Sequence, residues 1–148
     1  KAHADVHAAN SFIGNMLRME LLSDAGRGQQ ILDESVAYLL YMVERTGTLW
    51  ENVGAYASCN HGFASHIVHT LYRDILGLRQ VDPVAKRIAV RFQDLKLEAC
   101  EGTRPTPDGP VTLRWRVEQG RLRYQLTHPA GYQVTTENSS GKPLERQP

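Results

Sequence analysis

Cysteine is scarce in this chain: Cys59 and Cys100 are the two in 148 residues. Two thiols cannot supply the disulfide framework of a small stapled domain. They also fall in dissimilar segments, so both are expected to be free, since pairing needs Cα atoms within about 7 Å. Charge of one sign is lacking as well. Seventeen basic residues against sixteen acidic ones leave a net +1, which removes the electrostatic case for nucleic acid or an anionic membrane as partner. No apolar run approaches the roughly 20 residues that span a bilayer, and none has the shape of a signal peptide. Metal-ligand patterns are thin. His3 and His7 stand one turn apart and His66 and His69 share a helix side, yet no third ligand is positioned and the glutamate of the metalloprotease pattern is missing. No metal or other cofactor is expected. The chain opens on Lys1-Ala2 instead of methionine, which reads as a cropped or processed piece of something longer.

What is present begins with 41% hydrophobic residues, enough for one ordinary domain or for two small or partial ones. From Ala4 to Ser23, Val6, Ala9, Ile13, Leu17 and Leu21 recur at spacings of three and four, with Phe12 and Met16 widening the stripe. That period predicts an amphipathic helix, and Ser23-Asp24-Ala25-Gly26 supplies its stop. A second helix is predicted over Gln30 to Arg45, with Ile31, Leu32, Val36, Leu39, Leu40 and Val43 on its apolar side. The short connection makes the two an antiparallel hairpin. Phe63, Ile67, Leu71 and Ile75 predict a third helix from Phe63 to Leu76, capped by Gly77. Three such stripes look like part of a larger helical array, because three helices alone would bury only some of those faces.

After Asp82-Pro83 the period drops to two. Val111, Leu113, Trp115 and Val117 alternate with polar residues, as do Leu122, Tyr124 and Leu126, and Gln119-Gly120 between them is a tight-turn signal. Weaker strand signals cover Arg87 to Phe92, Leu95 to Cys100 and Tyr132 to Glu137. The fold class expected is therefore α+β in two parts: helices over residues 1–82, an antiparallel β unit over 83–138, and a loose polar tail over 139–148. Arg114, Arg116, Arg121 and Arg123 make a basic patch on the strands' polar face, read as a solvated sheet face for want of interleaved exposed aromatics. Asn138-Ser139-Ser140 fits a glycosylation sequon, a weak signal in a polar tail.

Between the second and third helices, Thr46 to Gly62 has neither period. It is long for a connection, which makes it functional or disordered. Leu49, Trp50, Val53 and Tyr56 with the single charge Glu51 argue for order. The loop sets a carboxylate (Glu51) beside an indole (Trp50), with Asn60 and His61 ten residues on. Base, stacking face, amide and imidazole suit a neutral polyol. Taken residue by residue, alternatives stay open: Glu51 as a solvated charge or helix-end partner, and Asn60-His61 as a pair fixing the start of the third helix. Glycoside hydrolysis needs two carboxyl groups, and the sequence offers no second one in an equal setting, Glu44 being helical.

Thr48-Leu49-Trp50-Glu51 followed by Ser58-Cys59-Asn60-His61 resembles the bacterial α-L-rhamnosidases of glycoside hydrolase family 78, which carry a Thr-x-Trp-Glu and then a Ser-x-Asn-His motif. The resemblance continues through Leu71-Tyr72-Arg73, Gly77-Leu78 and Asp82-Pro83, and more loosely through Pro105 to Val111 and Trp115. It departs at Val53, where many members have a second aromatic. The resemblance implies the last helices of an (α/α)6 toroid followed by a small C-terminal antiparallel β-sandwich. It implies that Glu51 is the general base of an inverting hydrolysis and that His61, with Trp50 and Asn60, serves the sugar subsite. The general acid would come from earlier in the toroid, outside this chain. Partners implied are a rhamnose-containing glycan or glycoside and the remainder of the parent chain, with self-association through exposed helical faces as an alternative contact.

Overall fold

The computed structural model describes residues 12–52 and 57–148. Helix α1 (Phe12–Asp24) turns at Gly26, where φ is 65°, into helix α2 (Gly28–Thr46). Helix α2 ends at Gly47 in the left-handed conformation, its N–H donating to the Val43 carbonyl at 2.8 Å. Beyond the loop, residues 62–76 form a third helical run that unwinds along its length. It passes from a 3-10 turn (Gly62–Ser65) through an α-turn (His66–Thr70) to a π-helical turn (Leu71–Leu76). Gly77 closes it at φ 97°, and a Cβ there would lie 2.8 Å from the Arg91 carbonyl oxygen, so glycine is required on two counts.

Helix α1 buries a different side from the one its period suggested, and α2 buries only part of its expected stripe. In α1 the inward residues are Asn15, Met19 and Ser23, while Ile13, Leu17 and Leu21 face outward, Leu21 being 72% exposed. In α2, Ile31, Leu39 and Met42 are buried and Val36, Leu40 and Val43 are exposed. Both helices are apolar on two sides, and a hairpin can cover only one. Val6, Ala9, His3 and His7 lie outside the described residues. Three helices do not make a toroid, so what the structure itself carries is coarser: a few helices followed by a small β-domain.

Among the described residues, seven strands form two sheets. Strands β1 (Leu78–Asp82), β2 (Arg87–Gln93) and β6 (Gln133–Ser139) lie in the order β1-β2-β6. Strands β3 (Ala99–Arg104), β4 (Val111–Glu118), β5 (Arg121–Thr127) and β7 (Leu144–Arg146) lie in the order β3-β4-β5-β7. The β4–β5 hairpin turns where expected, at Gln119 (φ 51°) and Gly120 (φ 73°), the positive pair that matches strand twist. Its Trp115 faces Tyr124 in register. One apolar cluster joins Val90 and Phe92 of the first sheet to Leu113, Trp115, Tyr124 and Leu126 of the second, so the inner faces share a core.

Four expectations change. The sheet is not purely antiparallel, because β6 pairs with β2, and β7 with β5, in parallel. Residues placed in the loose tail form β7, held by backbone bonds such as Gln147 N–H to the Tyr124 carbonyl at 2.7 Å. The change of period comes earlier than Val81–Val84, since Leu78 already pairs with Val90 across β1 and β2. Strand β6 falls on the weaker signal over Tyr132 to Glu137, whereas β7 has three residues and no apolar alternation to announce it. The strand predicted near Leu95 to Cys100 begins instead at Ala99.

Helices and sheets meet at a buried carboxylate. Asp74, fully enclosed near the end of the third helical run, accepts from Arg91 Nη2 of β2 at 2.7 Å and from Arg73 Nε at 2.8 Å. Ser23 Oγ of α1 donates to the same carboxylate at 2.7 Å, and Gln93 Nε2 approaches at 3.3 Å. Gln93 Oε1 in turn accepts from Gly28 N–H, the first residue of α2, at 2.9 Å. Burial works against the Arg73 charge, yet Glu20 and Asp74 outweigh it and hold its pKa up. Trp115 Nε1 adds a bond across the same seam, to the Leu76 carbonyl at 2.9 Å. Removing the carboxylate strands the buried Arg91 guanidinium and takes one of two carboxylate partners from Arg73, so Asp74→Ala should cost about 3–5 kcal/mol in urea unfolding of this chain. A loss below about 1 kcal/mol would mean that the helices dock by apolar contact alone.

Candidate active-site ribbon

The loop folds into a short backbone-paired ribbon that lays the two sequence motifs side by side. Glu51 N–H donates to the Ser58 carbonyl and His61 N–H to the Leu49 carbonyl, both at 2.8 Å. Thr48 Oγ1 donates to the Cys59 carbonyl across the ribbon. Ser58 Oγ folds over the second motif, donating to the Asn60 carbonyl at 3.1 Å.

Side chains alternate along such a ribbon, which decides what each motif residue can do. Trp50 points inward and is 3% exposed, packed with Leu39, Met42 and Ile67. Its Nε1 donates to Thr46 Oγ1 at 2.8 Å, and Tyr41 stands edge-on at 5.6 Å between centroids. The indole therefore has no open face for a sugar. Glu51, next in line, is half-buried with its carboxylate on the other side, where Oε2 lies 3.4 Å from Ser58 N–H. Asn60 is exposed and His61 half-buried. The exposed ring beside His61 belongs to Phe63, edge-on at 5.9 Å and 73% exposed. Val53 and Tyr56 lie outside the described residues.

Sequence reading missed the residues that seat the indole. Tyr38 and Tyr41 sit three apart on α2, and Thr46 is four residues before Trp50, spacings that were visible but carried no motif. Burial pushes the Tyr38 hydroxyl up to about 12. Tyr41 is also raised, by burial first, with Arg45 opposing.

The other candidates resolve elsewhere. Cys59 and Cys100 are free thiols, and burial pushes Cys100 up. His66 contacts Asn15 Oδ1 at 3.2 Å, whereas His69 contacts Arg73 Nη1 at 3.4 Å. Among the described residues no three metal-ligating side chains gather. Three of the four arginines of the basic patch are ion-paired: Arg114 with Glu101, Arg116 with Glu118, and Arg123 with both Glu118 and Glu145. A cavity of about 810 Å³ opens on this outer sheet face, lined by Glu101, Arg114, Arg116 and Arg123. It includes no residue of the ribbon, and its charges already satisfy one another, so volume alone does not make it the reactive centre.

Because the indole is core, Trp50→Ala should destabilise the chain by about 3–5 kcal/mol in chemical denaturation. A ring exposed for stacking would cost well under about 1 kcal/mol.

Residues 77–137 match the family model of the bacterial alpha-L-rhamnosidase C-terminal domain. A curated relative, an alpha-L-rhamnosidase of Alteromonas sp. (strain LOR), is 27% identical over 143 residues, 85% of this chain and 16% of the relative. Among solved structures, a GH78 family rhamnosidase of Bacillus sp. GL1 superposes with a TM-score of 0.81 at 22% identity. That match covers 93% of this chain and 16% of the neighbour, and at this identity it speaks for the fold. The chain thus spans about one-sixth of the length of the proteins it matches. Over residues 77–137 the chain is thus similar to the bacterial alpha-L-rhamnosidase C-terminal domain, and as a whole it resembles the C-terminal portion of these enzymes.

Proposed function

We propose that the chain is the C-terminal part of an inverting glycoside hydrolase that removes terminal α-L-rhamnosyl residues from glycans or glycosides. Glu51 is the general base, and His61 and Asn60 hold sugar hydroxyls. The observation that carries this reading is the ribbon, where Trp50 is anchored inward and the Glu51 carboxylate is presented beside the Ser58–His61 strand. In the reaction, Glu51 takes a proton from water as the water oxygen bonds to the anomeric carbon. The glycosidic C–O bond breaks, and a carboxylic acid from outside this chain protonates the leaving oxygen. Trp50 then acts from behind, fixing the backbone of Glu51 without touching sugar, and Phe63 supplies an apolar edge beside His61.

The outward apolar side of α1 and α2, with Ile13, Leu17, Leu21, Val36 and Leu40, suits cover by the remainder of a toroid. The same surface favours a second reading, a non-catalytic sugar-binding or interaction module that self-associates through its helices.

The two readings separate on hydrolysis of an aryl α-L-rhamnoside by the full-length parent. Glu51→Gln should lower kcat by about a hundred- to ten-thousandfold with unchanged melting. Activity that survives returns Glu51 to an ordinary loop carboxylate. The isolated chain, which lacks the acid partner, should show no measurable turnover, and robust hydrolysis by it would overturn the division of labour.

A further inference from the structure

The geometry points to Thr46 and Thr48 as positioning residues for Glu51, acting through a directed hydrogen-bond relay; the inference rests on the reading of Glu51 as general base. Four groups lie in sequence: Trp50 Nε1 to Thr46 Oγ1 at 2.8 Å, Thr46 Oγ1 to Thr48 Oγ1 at 2.7 Å, and Thr48 Oγ1 to the Cys59 carbonyl. Each hydroxyl has one proton, which fixes the direction. The Cys59 carbonyl can only accept, so the Thr48 proton goes there. Thr48 Oγ1 is then an acceptor for the Thr46 proton, a proton that the Met42 carbonyl at 3.1 Å also attracts. The indole N–H has nothing to accept with and feeds Thr46. Every donor in the relay points the same way, from the core toward the second motif.

The relay ties together the three parts that must agree for Glu51 to meet a bound sugar. Thr46 is the last residue of α2 and belongs to the scaffold. Trp50 is the immediate neighbour of Glu51 and is otherwise held by apolar packing. Cys59 stands two residues before His61, so the Thr48 bond sets the spacing between the Glu51 strand and the His61 strand. Among the described residues, the Glu51 carboxylate has one long contact, accepting from Ser58 N–H at 3.4 Å. Its position is therefore inherited from its neighbours, and a base displaced by about 1 Å can lose about a hundredfold in rate.

Valine keeps the shape of threonine and deletes the hydroxyl, whereas serine keeps the hydroxyl. In the full-length parent, Thr48→Val should lower kcat about ten- to hundredfold while KM for an aryl α-L-rhamnoside moves less than about threefold. Thr48→Ser should recover most of that loss, and amide exchange at His61 should quicken only in the valine variant. Glu51→Gln is measured alongside. If it is inactive while Thr48→Val matches wild type, the positioning inference fails and the catalytic reading stands. If Glu51→Gln remains active, the catalytic reading fails and takes the inference with it. A serine variant as slow as valine would assign the effect to packing of the methyl group and overturn the relay. Should Thr48→Val not fold, Thr46→Val breaks the relay from the helix side with the Cys59 bond intact, and an unchanged kcat there would overturn it.

Discussion

The Asp74 carboxylate is the constraint on which the rest of the structure depends. It draws Ser23 from α1, Arg73 from its own helical run and Arg91 from β2 onto one pair of oxygens, while Gln93 extends the contact to the start of α2. Buried ion pairs often add little net stability, but they are unforgiving of misalignment. Three helical segments and a strand must be in register before the charges cancel. That specificity matters here because the apolar contacts around it, Met19 and Ile31 against Leu76 and Phe92, would tolerate several arrangements.

This seam also reaches the ribbon. The third helical run has Asp74 near one end and begins at Gly62, immediately after His61. Fixing its far end against β2 therefore fixes where the second motif emerges, and Ile67 on the same run packs under Trp50 in the smaller apolar cluster. The first motif is set from α2 through Thr46. Two routes, one from the sheet and one from the helix hairpin, converge on a loop that would otherwise be free to drift. The β-domain contributes by bracing the helical run that carries the motif, a structural part consistent with its ion-paired outer face.

Local features were readable in the sequence and remote ones were not. The β4–β5 hairpin was legible because alternation and a Gln119-Gly120 turn state their geometry within a few residues. The third helical run was legible from its four-residue spacing, although not its passage into a π turn. The buried side of α1 was not, because Ile13, Leu17 and Leu21 form a better stripe than Asn15, Met19 and Ser23, and only the partner decides between them. Asp74 and Arg91 were invisible as a pair, being two charges 17 residues apart in a helix and a strand. At the candidate site, the motif residues were found and brought together. The inward turn of Trp50 was missed, since nothing in Leu49-Trp50-Glu51 says which face of the ribbon meets Leu39 and Met42.

The account stands on Glu51 activating water directly, and that has a stereochemical signature. Early hydrolysis of an aryl α-L-rhamnoside by the full-length parent can be followed by proton NMR before the free sugar equilibrates. Direct attack by activated water predicts that β-L-rhamnose appears first. First appearance of the α-anomer would mean a covalent intermediate and would contradict the role given to Glu51.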